Sequence, residues 1–294
     1  MIKSNNSIKK ISLTYLISLF PLILFGIYKN GISLYIKGYV NLTGMFKPLL
    51  FVIIGAVIGI LVNIIYEKIQ KNNRSIGELI FSSFHMIYGI LIACISSINT
   101  NLVLFSIVTF IVLFISKFIK YNKFNVIALS SLIIFFIMTL LNKFSFLNSY
   151  EASTNFNMNA IDYLFGKGSG GIFTTNIILL CISFIILYLN KAYKRIIPIY
   201  ATIIFAIFAF VYSLLTNNIS SILEILFTNG ILFSFIFIAT ETTSSSYTRM
   251  GQIIYGIFVG ILTFGLYLIK PELASLGAIF IASILSGLID LKFE

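Results

Sequence analysis

Long apolar runs separated by short polar segments cover nearly the whole chain. Because a helix needs about 20 apolar residues to cross the hydrocarbon core of a bilayer, each long run predicts a membrane span. The runs lie at roughly 11–28, 48–66, 79–98, 102–119, 124–142, 173–190, 196–215, 221–239, 251–269 and 273–290. The pattern therefore predicts an all-α polytopic membrane protein with about ten transmembrane helices.

The composition supports this prediction and narrows the function classes. Hydrophobic residues make up 59% of the chain and charged residues 10%, whereas soluble domains carry about 25% charged residues. A mean hydropathy of +1.04 leaves no room for a soluble domain of any size. The expected partner is the lipid bilayer and not nucleic acid, although the net charge is +11. An excess of Lys and Arg is typical of cytoplasmic loops between membrane spans.

The residues that usually carry metal or nucleophilic chemistry are scarce. His85 is the single histidine, and the two cysteines, Cys94 and Cys181, lie within apolar runs. Neither the spacing of a metal site nor that of a disulfide framework is present. We therefore predict no metal site and no catalytic residue of the His or Cys type.

The distribution of basic residues predicts the orientation of the spans. With the N-terminus inside, the inner segments hold 14 of the 20 Lys and Arg residues and the outer segments hold six. The first run, although flanked by Lys9 and Lys10, is not followed by a small-residue cleavage pattern, so it is kept as a span. The positive-inside rule then predicts that both termini lie in the cytoplasm.

The longest loop, 143–172, divides the chain into two halves of five spans, 1–142 and 173–294, and would lie outside the membrane. An odd number of spans in each half forces two repeated halves to run in opposite directions. The sequence Glu-Leu-Ile-Phe at 78–81 resembles Glu-Ile-Leu-Phe at 224–227, and an alanine follows each at the same distance. The sequence thus predicts two inverted five-helix halves.

Four polar clusters interrupt the apolar pattern, and such clusters are the default functional candidates in a membrane chain. They are the segments 117–128, 148–155, 165–175 and 239–251. The glycine-rich cluster precedes a span, so its backbone N–H groups could meet an anion such as a phosphate. An ordinary connection with a helix cap fits the same spacing, and this alternative stays open.

The hydroxyl-rich run 242–246 is too polar to contact lipid. It therefore lies in water as a cytoplasmic loop, lines a cavity or binds a ligand. The neighbouring Glu241 and Arg249 are compatible with a simple surface ion pair. The sequence alone does not choose among these interpretations.

Several segments, in order and over nearly the whole chain, match a known pattern. They are the opening 7–21, Glu67 at the end of the second span, the stretch Lys117–Ala128, the turn Gly168–Gly171, the segment Ala239–Gly256 and the close Leu288–Asp290. With these motifs the chain resembles the RnfD/NqrB family. Its members are flavin-carrying membrane subunits of the bacterial Rnf electron-transport complex and of the sodium-translocating NADH:quinone oxidoreductase.

The resemblance implies flavin cofactors. Family members carry FMN on a threonine in an outer-loop motif, Asp-x-x-Ser-Gly-Ala-Thr, which falls on 148–154 here and makes Thr154 the implied attachment residue. Asn148 replaces the leading acid, and Glu-Ala-Ser replaces Ser-Gly-Ala. The family also implies a second flavin, riboflavin or another, held without a covalent bond. The cofactor-binding residues carried over from the motifs are Asn125, Gly168, Ser169, Gly171, Thr240 and Glu241.

The chain departs from the family's pattern in two of the polar clusters, the glycine-rich one and 239–251. Ile172 stands where the family's glycine-rich turn has a glutamate, and both prolines of the family's pattern are missing from the cluster 239–251, at Thr242 and Ser246. An eroded flavin motif keeps two other functions open. The chain could be a stand-alone transporter or channel on the same helical framework, or a scaffold subunit that has lost its covalent flavin.

The function implied by the resemblance is that of a flavoprotein subunit in an ion-translocating ferredoxin:NAD oxidoreductase. Electrons would pass through flavin, coupled to Na⁺ or H⁺ transport, to other membrane and peripheral subunits of the complex. The expected location is the bacterial cytoplasmic (inner) membrane. We expect neither an NAD site nor a ferredoxin site in this chain, since it has no soluble domain and no cysteine cluster.

Overall fold

The computed structural model describes residues 5–71, 76–80, 83–119, 124–141, 143, 145–146, 159–217 and 221–293. Within these ranges every regular element is helical, so the all-α prediction is confirmed. The helices are α1 (Asn5–Ile27), α2 (Ser33–Ile36), α3 (Leu42–Ile69), α4 (Ile76–Ile80), α5 (His85–Ile95), α6 (Leu102–Phe118), α7 (Val126–Leu140), α8 (Ala160–Leu164), α9 (Ile177–Tyr188), α10 (Ile196–Leu215), α11 (Ser221–Phe227), α12 (Ile231–Phe233), α13 (Arg249–Tyr267) and α14 (Ala274–Phe293). A π-helical turn, Tyr28–Ile32, joins α1 to α2, and a second, Ser234–Ile238, continues α12.

Length and composition identify the membrane-spanning part. The helical stretches long and apolar enough to cross a bilayer, among the described residues, are Ile8–Ile36, Leu42–Ile69, Ile196–Leu215, Arg249–Tyr267 and Pro271–Leu291. Helices α5, α6, α7 and α9 are apolar but shorter. On α6 the exposed side chains of Ile107, Ile111 and Ile115 repeat every four residues and form a lipid-facing stripe. The chain is a multi-pass membrane protein, as the hydropathy pattern predicts.

The predicted span 221–239 is not a single helix, which corrects the expectation from hydropathy. Asn229 and Gly230 adopt left-handed backbone angles, with φ of 57° and 67°. Such residues end a helix, because the next amide can no longer reach the carbonyl one turn back. The Asn229 amide instead donates to the Ser169 carbonyl at 2.8 Å. The chain then resumes as α12 and its π turn.

The predicted span 79–98 is also divided. Helix α4 ends at Ile80, and α5 begins only at His85. The Leu79 carbonyl near the end of α4 accepts a hydrogen bond from the Asn63 side chain of α3 at 2.6 Å. The third span of each predicted half is therefore interrupted.

Hydrogen bonds along α1 and α9 show that these helices run antiparallel. The Asn190 side chain, beyond the end of α9, donates to Thr14 near the start of α1 at 3.0 Å. Ser183 donates to the Ser18 carbonyl at 2.6 Å. Lys29, beyond the end of α1, donates to Thr175 before the start of α9 at 3.4 Å. Antiparallel first helices are what inverted halves require.

The second segments of the two interrupted spans are also antiparallel. The Cys94 carbonyl at the end of α5 accepts from the Phe173 amide at 3.1 Å. Gly170, three residues before Phe173, packs against Gly230 at the start of α12. At the other end, Tyr88 near the start of α5 bonds Glu241, which follows the π turn of α12. These contacts support the predicted inverted arrangement, while the boundaries 1–142, 143–172 and 173–294 stay a prediction.

Glycines allow α3 and α5 to pack closely. A Cβ on Gly55 or on Gly89 would collide with the carbonyl oxygen of the other glycine, and one on Gly59 would collide with the His85 carbonyl. Small residues permit such backbone contact, which is a common basis of helix association in membranes. Beside this contact, the rings of Phe51 and Phe105 pack edge to face at 5.0 Å.

Candidate functional site

The polar segment 239–248 is folded into the protein. Ser244, Ser245 and Ser246 have at most 1% of their surface exposed. The Ser245 hydroxyl donates to the Glu241 carbonyl at 2.5 Å, and the Ser246 hydroxyl donates to the Asp290 carboxylate. The interpretation of this run as a solvated cytoplasmic loop is therefore wrong for its serines, because their hydroxyls bond to partners inside the protein.

Glu241 is the centre of this segment. One carboxylate oxygen accepts from the Tyr88 hydroxyl and from the Thr243 amide and hydroxyl, the latter two at 3.1 and 2.6 Å. The other accepts from the Ser244 amide at 2.9 Å and from its hydroxyl. Several donors on one carboxylate offset the cost of removing the charge from water. The interpretation of Glu241 as half of a surface ion pair with Arg249 is wrong, since Glu241 is only 4% exposed.

Tyrosines from two other elements complete the surroundings of this segment. The side chains of Tyr15 and Tyr193 lie beside Thr240. The Tyr193 and Thr240 hydroxyls both donate to the Ile236 carbonyl of the π turn, at 2.8 and 2.7 Å. A carbonyl near the end of a helical segment lacks its usual partner, and these hydroxyls supply one.

A narrow pocket lies beside Glu241. It is lined by Tyr15, Phe84, Ile87, Tyr88, Leu91, Ile127, Phe237, Glu241 and Thr242. Its free volume accommodates about one water molecule. The pocket therefore combines one carboxylate with an aromatic wall, in a space far smaller than an organic ring system.

Lys194 brings a positive charge to the same segment. Its ammonium group donates to the carbonyls of Thr242 and Ser245 at 3.1 and 2.7 Å, and to the Ser245 hydroxyl at 2.7 Å. It also lies 4.2 Å from the ring centroid of Tyr247. A buried lysine with these partners holds the turn between Thr242 and Tyr247 in place.

The second acid, Asp290, caps the start of α13. Its carboxylate accepts from the Tyr247 amide at 3.1 Å and from the Thr248 amide at 3.4 Å. Negative charge is favoured at a helix N-terminus. Burial is the main cause that raises the pKa of Tyr247, and the negative charges of Glu241 and then Asp290 raise it further. Gly251 is required here, because a Cβ would lie 2.7 Å from the Asp290 carboxylate.

Asn125 ties three elements together. Its side-chain oxygen caps α7 by accepting from the Ala128 amide at 2.9 Å. Its side-chain amide donates to the Ile238 carbonyl at 2.8 Å and to the Ser244 hydroxyl at 3.2 Å. Its backbone amide donates to Ser283 of α14 at 2.9 Å. Asn125 thus positions the polar segment against the start of α7.

We expect Asn125→Ala to destabilise the protein by about 2–4 kcal/mol, because it removes a helix cap and two buried hydrogen bonds. Asn101→Ala is the matched control, since Asn101 caps α6 by accepting from Val103 at 2.8 Å and is exposed. Its expected loss is about 1 kcal/mol. The free energy of unfolding, from SDS titration of the solubilised protein, measures both. Equal losses would show that the bonds to Ile238 and Ser244 contribute nothing.

The glycine-rich turn lies at the other end of α5. The amides of Ile172 and Phe173 donate to the carbonyls of Ser96 and Cys94, at 3.0 and 3.1 Å. Gly171 approaches α5 so closely that a Cβ would lie 2.6 Å from the Ile95 carbonyl. Lys29 donates to the Gly168 carbonyl at 3.1 Å. The amides of Ile172 and Phe173 are thus used within the protein, which favours the structural connection over an anion site at these two positions.

The structure brings some of the predicted site residues together and separates others. Asn125, Thr240 and Glu241 form one cluster near the start of α5. Gly168, Ser169 and Gly171 form a separate turn near its end. Thr154 lies outside the described residues. Within the described ranges no group of three or more His, Cys, Asp or Glu side chains converges as a metal site would require.

Four residues of the Glu241 cluster were not predicted as site residues from the sequence: Tyr15, Tyr88, Lys194 and Asp290. Tyr88 and Tyr15 carry no signal of their own, because aromatic residues are frequent in spans. Asp290 and Lys194 do carry one. An acid near the end of a span and a lysine at a span boundary are both rare enough in lipid to indicate a buried partner.

Comparison with known proteins identifies the family. No curated protein matches the chain. A model of the NQR2, RnfD, RnfE family matches residues 1–293, which is all but the last residue of the chain. The chain belongs to the NQR2, RnfD, RnfE family and is a membrane subunit of an Rnf/Nqr-type complex.

Proposed function

We propose that this subunit carries FMN in a phosphoester bond to Thr154 and relays electrons within its complex, coupled to Na⁺ or H⁺ transport. The observation that carries the proposal is the family match over residues 1–293. FMN supplies one- and two-electron chemistry, while the protein holds it and sets its surroundings. The partners in this proposal are other membrane and peripheral subunits of the complex. The proposed location is the bacterial cytoplasmic membrane, with both termini in the cytoplasm.

The anchoring of the loop that contains Thr154 supports this proposal. Before the loop, the Ser145 carbonyl accepts hydrogen bonds from Ser97 and Asn99, which directly follow α5. After the loop, α8 packs against α9 and α11. Both ends of the loop therefore lie at the end of α5 that the glycine-rich turn covers. Lys194 and the Glu241 cluster lie toward the opposite end, the one predicted to face the cytoplasm.

Hydrogen bonds to the Asp162 side chain hold the residues that directly follow this loop. The Asn159 amide donates to Asp162 at 3.0 Å, and Lys167 donates to the same carboxylate at 2.6 Å. The Lys167 hydrogen bond, followed by that of Asn159, holds the pKa of Asp162 below its usual range. The carboxylate is thus charged at neutral pH and keeps α8 capped. A loop fixed at both ends limits where a group attached to it can reach.

A non-covalent flavin contacting Asn125, Thr240 and Glu241 does not fit the side-chain arrangement described here. Both hydrogens of the Asn125 amide are donated, the Thr240 hydroxyl donates to Ile236, and the pocket accommodates about one water molecule. A flavin ring at this position requires these bonds to be exchanged. We therefore derive no electron-transfer step through a flavin there, and the three contacts stay a prediction.

Covalent attachment is tested on the purified full chain. We expect the denatured band to fluoresce under ultraviolet light and the intact mass to exceed the sequence mass by one FMN moiety. Thr154→Val should abolish both signals, because valine has no hydroxyl to form the ester. Ser153→Ala, the adjacent hydroxyl, should keep them. An unmodified mass from cells that also express a flavin transferase would overturn the proposal and favour a scaffold subunit without covalent flavin.

A transporter or channel is the second candidate, because the third span of each half is interrupted. Interrupted helices in corresponding positions of two inverted halves are a common design of membrane transporters. This candidate predicts ²²Na⁺ uptake by liposomes that contain the chain alone. Uptake without other subunits and without flavin would favour it over the electron-relay function.

A further inference from the structure

Hydrogen bonds tie the end of α9 to the early turns of α1. The Asn190 side chain donates to the Thr14 hydroxyl at 3.0 Å, and this hydroxyl donates to the Lys10 carbonyl at 2.9 Å. The Asn190 side-chain oxygen accepts from the Ala192 amide at 3.1 Å, which fixes the turn after α9. Lys191 lies in this turn, directly after Asn190. The bond between the helices therefore has Lys10, one turn before Thr14, on one side and Lys191 on the other.

The two lysines bring positive charge that their own segments do not neutralise. Lys10 and Lys191 are both exposed. Neither 1–66 nor 163–223 contains an Asp or Glu residue. Like charges on either side of one contact repel each other, and an anion between them offsets this repulsion. The pair of lysines is thus complementary to an anionic group.

Exposed apolar side chains continue from these lysines along both helices. On α1, Lys10 and Ile17 flank Thr14 at four and three residues, so they share one side of the helix. Ile17 is 60% exposed. On α9, Leu189 and Ile182 are seven residues apart and have 79% and 43% of their surface exposed. Each helix therefore presents a cationic end followed by an apolar surface toward the membrane interior.

We propose that Lys10 and Lys191 bind the headgroup phosphate of an anionic phospholipid. Its acyl chains lie along Ile17, Leu189 and Ile182. Such a lipid carries its charge and its apolar chains in the same order in which the protein presents their complements. Basic sites between membrane helices recognise anionic headgroups in this way. An acidic segment of a soluble protein would match the lysines alone, so the apolar continuation favours the lipid.

Native mass spectrometry of the purified full chain, titrated in detergent with dioleoylphosphatidylglycerol, tests this site. The apparent Kd of the first bound lipid should rise about fivefold in Lys10→Met and in Lys191→Met, and roughly 25-fold in the double variant. Lys10→Arg should keep the affinity, because it keeps the charge. Lys68→Met is the matched control, since Lys68 is an exposed lysine at the end of α3. This control should bind the lipid as the unaltered chain does.

Dioleoylphosphatidylcholine separates headgroup recognition from general coating by lipid, because it has the same acyl chains and no net charge. Weaker binding of this lipid, unchanged in the lysine variants, supports the proposal. Equal affinities for the two lipids would overturn it, and so would phosphatidylglycerol binding that the double variant leaves unaltered. Unaltered lipid binding combined with loss of other subunits from the purified complex would assign the lysines to a protein partner instead.

Discussion

Gly89→Leu should destabilise the protein by about 1–3 kcal/mol or more, since any Cβ at this position collides with the Gly55 carbonyl of α3. Backbones in contact cannot relax by a change of rotamer, so the two helices must separate. Their separation would also disturb Tyr88, one residue away, which bonds Glu241. We therefore expect a loss of the Glu241 cluster's order as well as a loss of stability.

Gly265→Leu is the matched control for this change. Gly265 lies in α13, is exposed, and has no atom within 4 Å of a built Cβ. Leucine there should face lipid and alter stability by no more than about 0.5 kcal/mol. The free energy of unfolding in SDS, measured for both variants, provides the comparison. Equal effects in the two variants would contradict the close packing of α3 on α5.

Glu241→Leu should cost at least about 3 kcal/mol, because it leaves several buried donors without an acceptor. The donors are the Tyr88 hydroxyl and the amides and hydroxyls of Thr243 and Ser244. Each unsatisfied donor costs about 1–3 kcal/mol, although relaxation of the turn recovers part of this. Glu241→Gln keeps one acceptor oxygen and should cost less than the leucine variant.

Glu78→Leu is the control for the removal of an acid, because Glu78 is exposed on α4. Of the three variants, Glu241→Leu should have the lowest free energy of unfolding, Glu241→Gln an intermediate one and Glu78→Leu the highest. A Glu241→Leu variant as stable as Glu78→Leu would show that the carboxylate does not hold the segment 239–248 together.

The positions of most helices follow from the sequence, and the reason is the solvent. Lipid cannot bond backbone groups, so a long apolar run has to become a helix. The runs 48–66 and 196–215, for example, correspond to α3 and α10. Helix ends differ by several residues, because the hydropathy pattern does not contain the caps. Asn101 and Asn176, which cap α6 and α9, lie at such ends.

The interruptions of the third and eighth spans were not predicted, although one signal was present. The Asn-Gly pair at 229–230 is a typical turn sequence inside an otherwise apolar run. Hydropathy averaged over a span length hides it, since two polar residues change the mean little. The break before His85 has no comparable signal, because Ser83 and Phe84 are both compatible with a helix. In the structure, Gly59 of α3 lies against the backbone of His85, the first residue after this break.

The sequence by itself determined the class of this protein, its approximate spans and the presence of a polar segment around Glu241. Composition and run length suffice for the class and the spans, because the hydrocarbon core requires the same length of apolar helix from every span. Only the tertiary structure decided that Glu241 and the serines after it are buried. Tyr88 lies 153 residues from Glu241, Asn125 lies 119 residues from Ser244, and Asp290 lies 44 residues from Ser246. Contacts over such separations depend on how helices pack, and no local pattern encodes them.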